Sequence, residues 1–187
     1  MRDHRSIGAG ASEWVRRFLP GVRSGGSVLD VACGGGRHLE LCLAAGLSAV
    51  GVDRDITGAR RLAGAPGLEL IEADLEDGGP APFAGRRFDG VIVTNYLWRP
   101  LLGSIVEAVA DDGLLVYETF ALGNERLGRP SRPDFLLRQG ELVEAIRGRL
   151  LPIAFEHVRL ETPARVVQRI CAAGPAHRWL AEGGPAR

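Results

Sequence analysis

Val28-Leu29-Asp30-Val31-Ala32-Cys33-Gly34-Gly35-Gly36-Arg37-His38-Leu39 reads as a strand, a tight turn and the start of a helix. Val28 to Val31 is a short, mostly apolar run, the pattern of a strand buried on both faces. The glycines after it carry no Cβ, so the backbone can approach a ligand closely. From residue 36 to 45, Leu39, Cys42 and Leu43 recur at helical spacing, and Gly46 is placed to cap the C-terminus. The first turn of such a helix presents free N–H groups to an anion. As a dinucleotide fingerprint the turn fails: counted from Gly34, G-x-G-x-x-G requires glycine at position 39, which is Leu39. That weighs against a nicotinamide oxidoreductase.

Outward from this stretch, strands and helices alternate. Upstream, Ser12 is placed to cap a helix over residues 11–19, and Pro20-Gly21 ends it. Downstream, strands are expected at 49–53, 68–72 and 88–93, with a helix over 56–62 and another opened by Pro100. Asp111-Asp112-Gly113 reads as a turn before a fifth strand at 114–119. A long connection, 121–138, leads to a short helix at 140–146 and two final strands, 151–158 and 165–173. Strands separated by helices imply parallel pairing, and the last two imply an antiparallel hairpin. One domain is expected over 11–173, with residues 1–10 flexible and 174–187 frayed.

The acids follow the same rhythm. Asp53 lies 23 positions after Asp30, and Asp74 lies 21 after Asp53. One strand plus one helix repeats over that length, so Asp30, Asp53, Asp74 and then Asn95 fall near the carboxyl edge of one sheet. Open parallel sheets bind ligands at that edge, where strand order reverses.

This set of residues resembles the class I S-adenosylmethionine-dependent methyltransferases, over residues 25–173. Their pattern is acid-x-G-x-G-x-G after strand one, an acid ending strand two and an acid after strand three. Here Ala32 replaces the first glycine. The resemblance implies an α/β, Rossmann-like, seven-stranded, mostly parallel sheet with a C-terminal antiparallel hairpin and helices on both faces. It implies S-adenosylmethionine as cofactor. Asp30, Ala32, Cys33, Gly34, Gly36 and Arg37 would surround its methionine part, Asp53 with neighbouring Arg54 its ribose, and Asp74 with Leu75 its adenine. Asn95 would lie near the transferred methyl. The chemistry agrees: a ribose diol needs acceptors, which a carboxylate supplies.

Thr94-Asn95-Tyr96-Leu97-Trp98-Arg99-Pro100 and the segment Gly123 to Leu142 resemble a bacterial group of small methyltransferases labelled tellurite-resistance-like. The first motif is not the Asn-Pro-Pro-Tyr signature of amino-group methylation on adenine or glutamine. Tyr96 and Trp98 are candidates for an aromatic wall over the acceptor, or for core. Arg99, Arg129 and Arg132 are candidate substrate residues. The connection at 121–138, which also carries Arg126 and Arg138, reads either as a lid holding an oxyanion or carboxylate, or as a solvated loop paired with Glu125 and Asp134. Candidate catalytic residues are Asn95, Tyr96, His38 and Glu118. No catalytic dyad stands out, which favours alignment of donor and acceptor over acid–base chemistry.

Composition narrows the classes. The chain has 187 residues, with 23 basic balancing 23 acidic, so no broad basic surface for nucleic acid is implied. Every basic residue is arginine, which excludes a Schiff-base lysine and the lysine of a P-loop. Cys33, Cys42 and Cys171 form no C-x-x-C pair, so neither a disulfide framework nor a metal site is expected. No apolar run reaches the ~18 residues of a membrane span, and no secretory signal opens the chain. The expectation is a cytoplasmic monomer or homodimer that methylates a small molecule, a thiol or a chalcogen oxyanion-derived species. The alternative is a non-catalytic or partner-dependent cofactor-binding subunit acting on a macromolecule.

Overall fold

In the computed structural model, which describes residues 10–185, the strand read first is central. β1 (Ser27–Val31), β2 (Ser48–Asp53), β3 (Leu68–Glu72), β4 (Phe88–Thr94), β5 (Val109–Phe120), β6 (Leu151–Glu161) and β7 (Ala164–Ala173) form one sheet in the order β3-β2-β1-β4-β5-β7-β6. The first five pair in parallel, and β7 runs antiparallel to both β5 and β6. Strand order therefore reverses between β1 and β4, as Asp30 pairs with Gly51 on one side and Ile92 on the other.

Side-chain alternation builds two cores. One face carries α1 (Glu13–Phe18), α2 (Arg37–Ala44) and α5 (Arg178–Glu182), whose Trp14, Phe18, Leu39, Cys42 and Trp179 pack on Val28, Ile92, Leu114 and Cys171. The other carries α3 (Leu102–Glu107) and α4 (Glu141–Ala145), with Ile105, Val106 and Leu142 on Val31, Val91, Leu115 and Ile170. Ser12 caps α1 as expected, its hydroxyl accepting from the Trp14 and Val15 amides. Gly51 lets α2 approach β2, because a Cβ there would stand 2.6 Å from Leu39 Cδ1.

Three expectations need correction. The helix over 56–62 shrinks to one 3-10 turn, Ala59–Leu62. Gly58 and Gly64 flank that segment, and each glycine costs a helix interior about 1 kcal/mol. Asp111-Asp112-Gly113 is no free turn but part of β5, which bulges against β4 between Phe88 and Gly90. Gly113 makes this possible, since a Cβ there would stand 2.7 Å from the Phe88 carbonyl oxygen. The tail expected to fray from Gly174 instead folds onto α1: Trp179 is buried, its ring 6.3 Å from Phe18, and a ring nitrogen of His177 lies 3.1 Å from the Gly21 carbonyl. The expected flexible N-terminus lies outside the described residues, Gly10 excepted. Among the described residues, no helix is long and apolar enough to cross a membrane, and no cluster of His, Cys, Asp and Glu could hold a metal.

Candidate functional site

The reversal point carries two strained residues. Among the described residues, Ala32 after β1 and Asn95 after β4 are the non-glycine residues with positive φ, both at +56°. Asparagine tolerates this region, whereas alanine sits there at a cost of roughly 1 kcal/mol. Strain on adjacent strands, at the edge where open sheets take ligands, marks the turns as shaped for binding.

Between Ala32 and α2 the glycine turn is open. A Cβ on Gly34 or Gly35 would meet nothing within 4 Å, while one on Gly36 would press on Ala59 Cβ at 3.2 Å. Asp53 holds the turn: its Oδ2 accepts from the Gly34 amide at 2.7 Å and its Oδ1 from the Asp55 amide at 3.0 Å. Both oxygens keep lone pairs for a diol. Asp74 is exposed, its Oδ1 accepting from the Glu76 amide at 2.9 Å, and Leu75 is half-buried beside it. Arg54 is exposed. Cys33 is buried, and burial, with Asp30 and Asp53 nearby, pushes its thiol far up. It fills space and is no nucleophile.

The face carrying α1 and α2 holds a polar belt just below this edge. Asp30 is 1% exposed, and burial, against the pull of Arg37, pushes its carboxyl up to about 8. Its Oδ2 has no hydrogen-bond partner. His38 Nδ1 stands 3.8 Å away, too far to bond. His38 Nε2 accepts from the Ser12 amide at 3.1 Å, and burial, then Arg37 and Arg16, lowers its pKa to about 3. The ring is neutral and its one acceptor is used, so His38, expected as a candidate base, is a core histidine tying α1 to α2.

Glu118 is likewise no free base. Thr94, Glu118, Arg169 and Glu156 lie in register across β4, β5, β7 and β6. Glu118 accepts from Arg169 Nη1 at 3.2 Å and from the Ser12 hydroxyl at 3.2 Å, with Arg165 Nη2 at 3.6 Å. Arg169 also pairs with Glu156 at 2.6 Å and lies over the Trp14 ring. Arg37 reaches from α2 to the Thr94 hydroxyl at 3.3 Å.

Tyr96 follows Asn95. Its carbonyl accepts from the Tyr117 hydroxyl at 2.9 Å, while its own hydroxyl is buried with no hydrogen-bond partner. Burial, with the charges of Glu76, Asp74 and Asp53, raises its phenol. The Tyr96 hydroxyl is thus an orphaned buried donor just after the Asn95 turn. Trp98 is half-buried against the core.

The expected substrate arginines divide. Arg99 is held at all three nitrogens: Nε donates to Glu141 Oε1 at 2.6 Å, Nη1 to the Asp134 carbonyl at 2.8 Å, and Nη2 to the Leu136 carbonyl at 2.9 Å and Glu141 Oε2 at 3.0 Å. It pins the 121–138 connection rather than facing a ligand. Arg132 is exposed and pairs with Asp134 at 2.9 Å, and Arg129 is exposed. The connection is stapled twice more. Buried Asn124 bonds the Val166 amide and the Pro130 carbonyl, and buried Gln168 bonds the Leu142 amide and the Arg138 carbonyl.

Sequence reading missed Ser12 as a bridge, Glu141, Asn124, Gln168 and the Arg165–Arg169 pair. Only the last left a signal. Arg165 and Arg169 flank Val167 at period two in an apolar strand, so both charges share one face. A cavity of about 350 Å³ also opens at the opposite, amino edge, lined by Ser27, Ser48, Glu69, Arg86 and Phe88; none of the three spaced acids lines it.

Residues 2–168 match the family model for a methyltransferase domain. No curated protein matches the chain. Among solved structures, the chain is similar to a TehB-like SAM-dependent methyltransferase from Corynebacterium glutamicum, at 18% identity over 86% of each chain with a TM-score of 0.62. It is similar to an S-adenosylmethionine-dependent methyltransferase from Mesorhizobium loti, at 16% identity over 88% of this chain and 98% of that one, TM-score 0.67. A Haloferax volcanii methyltransferase, solved in complex with the activator Trm112, aligns at 16% identity over 86% and 91%, TM-score 0.64. At these identities the likeness is one of fold.

Proposed function

Because the chain belongs to the methyltransferase-domain family, with S-adenosylmethionine as cofactor, we propose that it methylates a small-molecule acceptor at the carboxyl edge of β1 and β4. The observation that carries this reading is the open glycine turn after β1, bonded to Asp53 at the end of β2. The residues fit the cofactor. The cradle has room where Cβ atoms would be, Asp53 has lone pairs for a ribose diol, exposed Asp74 lies beside a half-buried Leu75, and Tyr96 brings a donor. When bound, the sulfonium supplies an electrophilic methyl group and a neutral thioether leaving group.

The chain's own task is then to hold, align and exclude water. Ala32 and Asn95 aim the turns on either side of the reversal point. Tyr96 and Trp98 wall the acceptor side. Among the described residues, the two candidate bases, His38 and Glu118, are engaged with Ser12 and Arg169. That favours an acceptor needing no deprotonation in the step, such as a thiolate or a reduced chalcogen species. The sequence resemblance to the tellurite-resistance-like group makes chalcogen oxyanions under reducing conditions reasonable first acceptors to try.

Calorimetric titration with S-adenosylhomocysteine tests the reading. Binding is expected, and Asp53→Ala should weaken it about 100-fold through loss of two hydrogen bonds to a charged acceptor. A folded wild-type chain that binds no S-adenosylhomocysteine would sink it. A second reading, a partner-dependent subunit acting on a macromolecule, draws on the Haloferax neighbour's activator. It predicts cofactor binding without turnover on any small acceptor until a second chain is added.

A further inference from the structure

The stretch after β4 that carries the acceptor wall, Asn95 to Arg99, is anchored at both ends. Asn95 turns the chain through the left-handed region, and its amide donates to the Glu118 carbonyl at 2.9 Å. The peptide that follows Tyr96 is held by a side chain instead: the Tyr117 hydroxyl donates to the Tyr96 carbonyl at 2.9 Å. At the far end Arg99 is tied to Glu141 and to the carbonyls of Asp134 and Leu136. The Tyr96 ring has no hydrogen bond of its own to set its direction, since its hydroxyl is buried without a partner. Its direction is therefore inherited from the backbone, and two consecutive residues of β5 hold that backbone.

Packing alone does not explain Tyr117. It pairs with Val93 across β4 and β5, is 1% exposed, and belongs to the core that contains Val93, Leu97 and Leu101. A phenylalanine would bury the same ring with no hydroxyl to satisfy, and a buried hydroxyl costs free energy unless it is bonded. The bond it makes falls one residue beyond the left-handed turn. Burial pushes its phenol far up, so the hydroxyl stays protonated and remains a donor throughout the neutral range. Without that donor, the peptide after Tyr96 is free to tilt, and the Tyr96 side chain tilts with it.

We propose that Tyr117 is a positioning residue for methyl transfer, its hydroxyl holding the Tyr96 carbonyl and so fixing the direction in which the Tyr96 ring meets the acceptor. This rests on the reading of the carboxyl edge as a methyl-transfer site for a small acceptor. Tyr117 touches no reacting atom. It acts through alignment, to which an in-line displacement is sensitive.

The test compares the full chain with Tyr117→Phe, Tyr96→Ala and the double variant. Each is titrated with S-adenosylhomocysteine and assayed for methyl transfer from S-adenosylmethionine to thiophenol and to selenite reduced by dithiothreitol. Tyr117→Phe keeps the ring, so S-adenosylhomocysteine affinity should stay within about twofold while kcat falls about tenfold. In the Tyr96→Ala background, itself slower than wild type, Tyr117→Phe should lower kcat no further. A stability role alone would not give that pattern, because the residue 96 carbonyl, and the bond to it, survive in Tyr96→Ala. Unchanged kcat in Tyr117→Phe overturns the proposal. So does a parallel loss of S-adenosylhomocysteine binding, an equal fall in the Tyr96→Ala background, or a Tyr96→Ala variant as fast as wild type. A wild type that binds S-adenosylhomocysteine but methylates neither probe defeats the small-acceptor reading, and this proposal falls with it. A wild type that does not bind S-adenosylhomocysteine defeats the methyl-transfer reading itself.

Discussion

Where β1 and β2 end, the chain offers backbone: three glycines, open space where a Cβ would be on Gly34 and Gly35, and half-exposed Asp53. Where β4, β5 and β7 end, it offers charged side chains packed together and mostly buried: Glu118, Arg165 and Arg169 under Ser12. The two halves meet at Ala32 and Asn95, which share the same unusual backbone angle. The first half leaves room for a ligand with many atoms. The second offers directional polar bonds held within the protein itself. A methyltransferase site needs both, a large donor and an acceptor that must be told from others.

The contrast breaks most easily at Glu118. Glu118→Ala leaves Arg165 and Arg169 facing each other without their shared acid, so the cost should be about 3 kcal/mol in a denaturant melt. A loss below about 0.5 kcal/mol would mean that the second half is not organised by charge. Glu141→Gln should cost about 2 kcal/mol by loosening Arg99, and should open the 121–138 connection to limited proteolysis. Burial raises the Glu141 carboxyl, but the Arg99 bonds and the Arg138 amide outweigh it and leave it below its ordinary value of 4.5. Its stabilising share is present above that value and lost as pH falls through the lower, folded one. A Glu141→Gln variant whose stability falls with acid just as the wild type's does would remove this clasp from the account.

Asp30 runs the other way. The folded state holds its proton up to about 8, the unfolded chain only to about 3.8, so this group costs stability as pH climbs between those values. Asp30→Asn should therefore raise the melting temperature by roughly a few degrees at pH 8.5 and change little below pH 4. A difference constant with pH would show the carboxyl to be ionised and satisfied. The smallest effect sharpens the seam between the halves. Ala32→Gly should be neutral or stabilise by up to about 1 kcal/mol, against the usual cost of glycine, because it releases the positive φ. A loss of more than about 1 kcal/mol would show the turn unstrained.

The glycine half was legible because its signals are local. A strand, a glycine turn and an acid one strand–helix period later can be counted along the chain, and Asp30, Asp53 and Asp74 all come to the carboxyl edge of the sheet. The charged half was not, because its geometry depends on pairing between distant strands. Whether Arg165 faces Glu118 is set by the β5–β7 register, and a shift of one residue would turn it to the other face. Arg99 looked like a substrate arginine because its partner, Glu141, lies 42 positions away. The helix over 56–62 failed for a local reason, glycines at 58 and 64, which its apolar spacing hid.

The strand order also sets a schedule for the chain. β1, α2 and β2 are neighbours in sequence and in space, and so are β6 and β7. Joining these local units requires β1 to find β4, where Asp30 meets Ile92, a contact whose loop-closure entropy must be met before it is rewarded. The crevice lies on that late, non-local seam. A ligand bridging it contacts both units and stabilises the assembled chain by mass action, so cofactor concentration becomes a determinant of how much of this protein survives, not only of how fast it works.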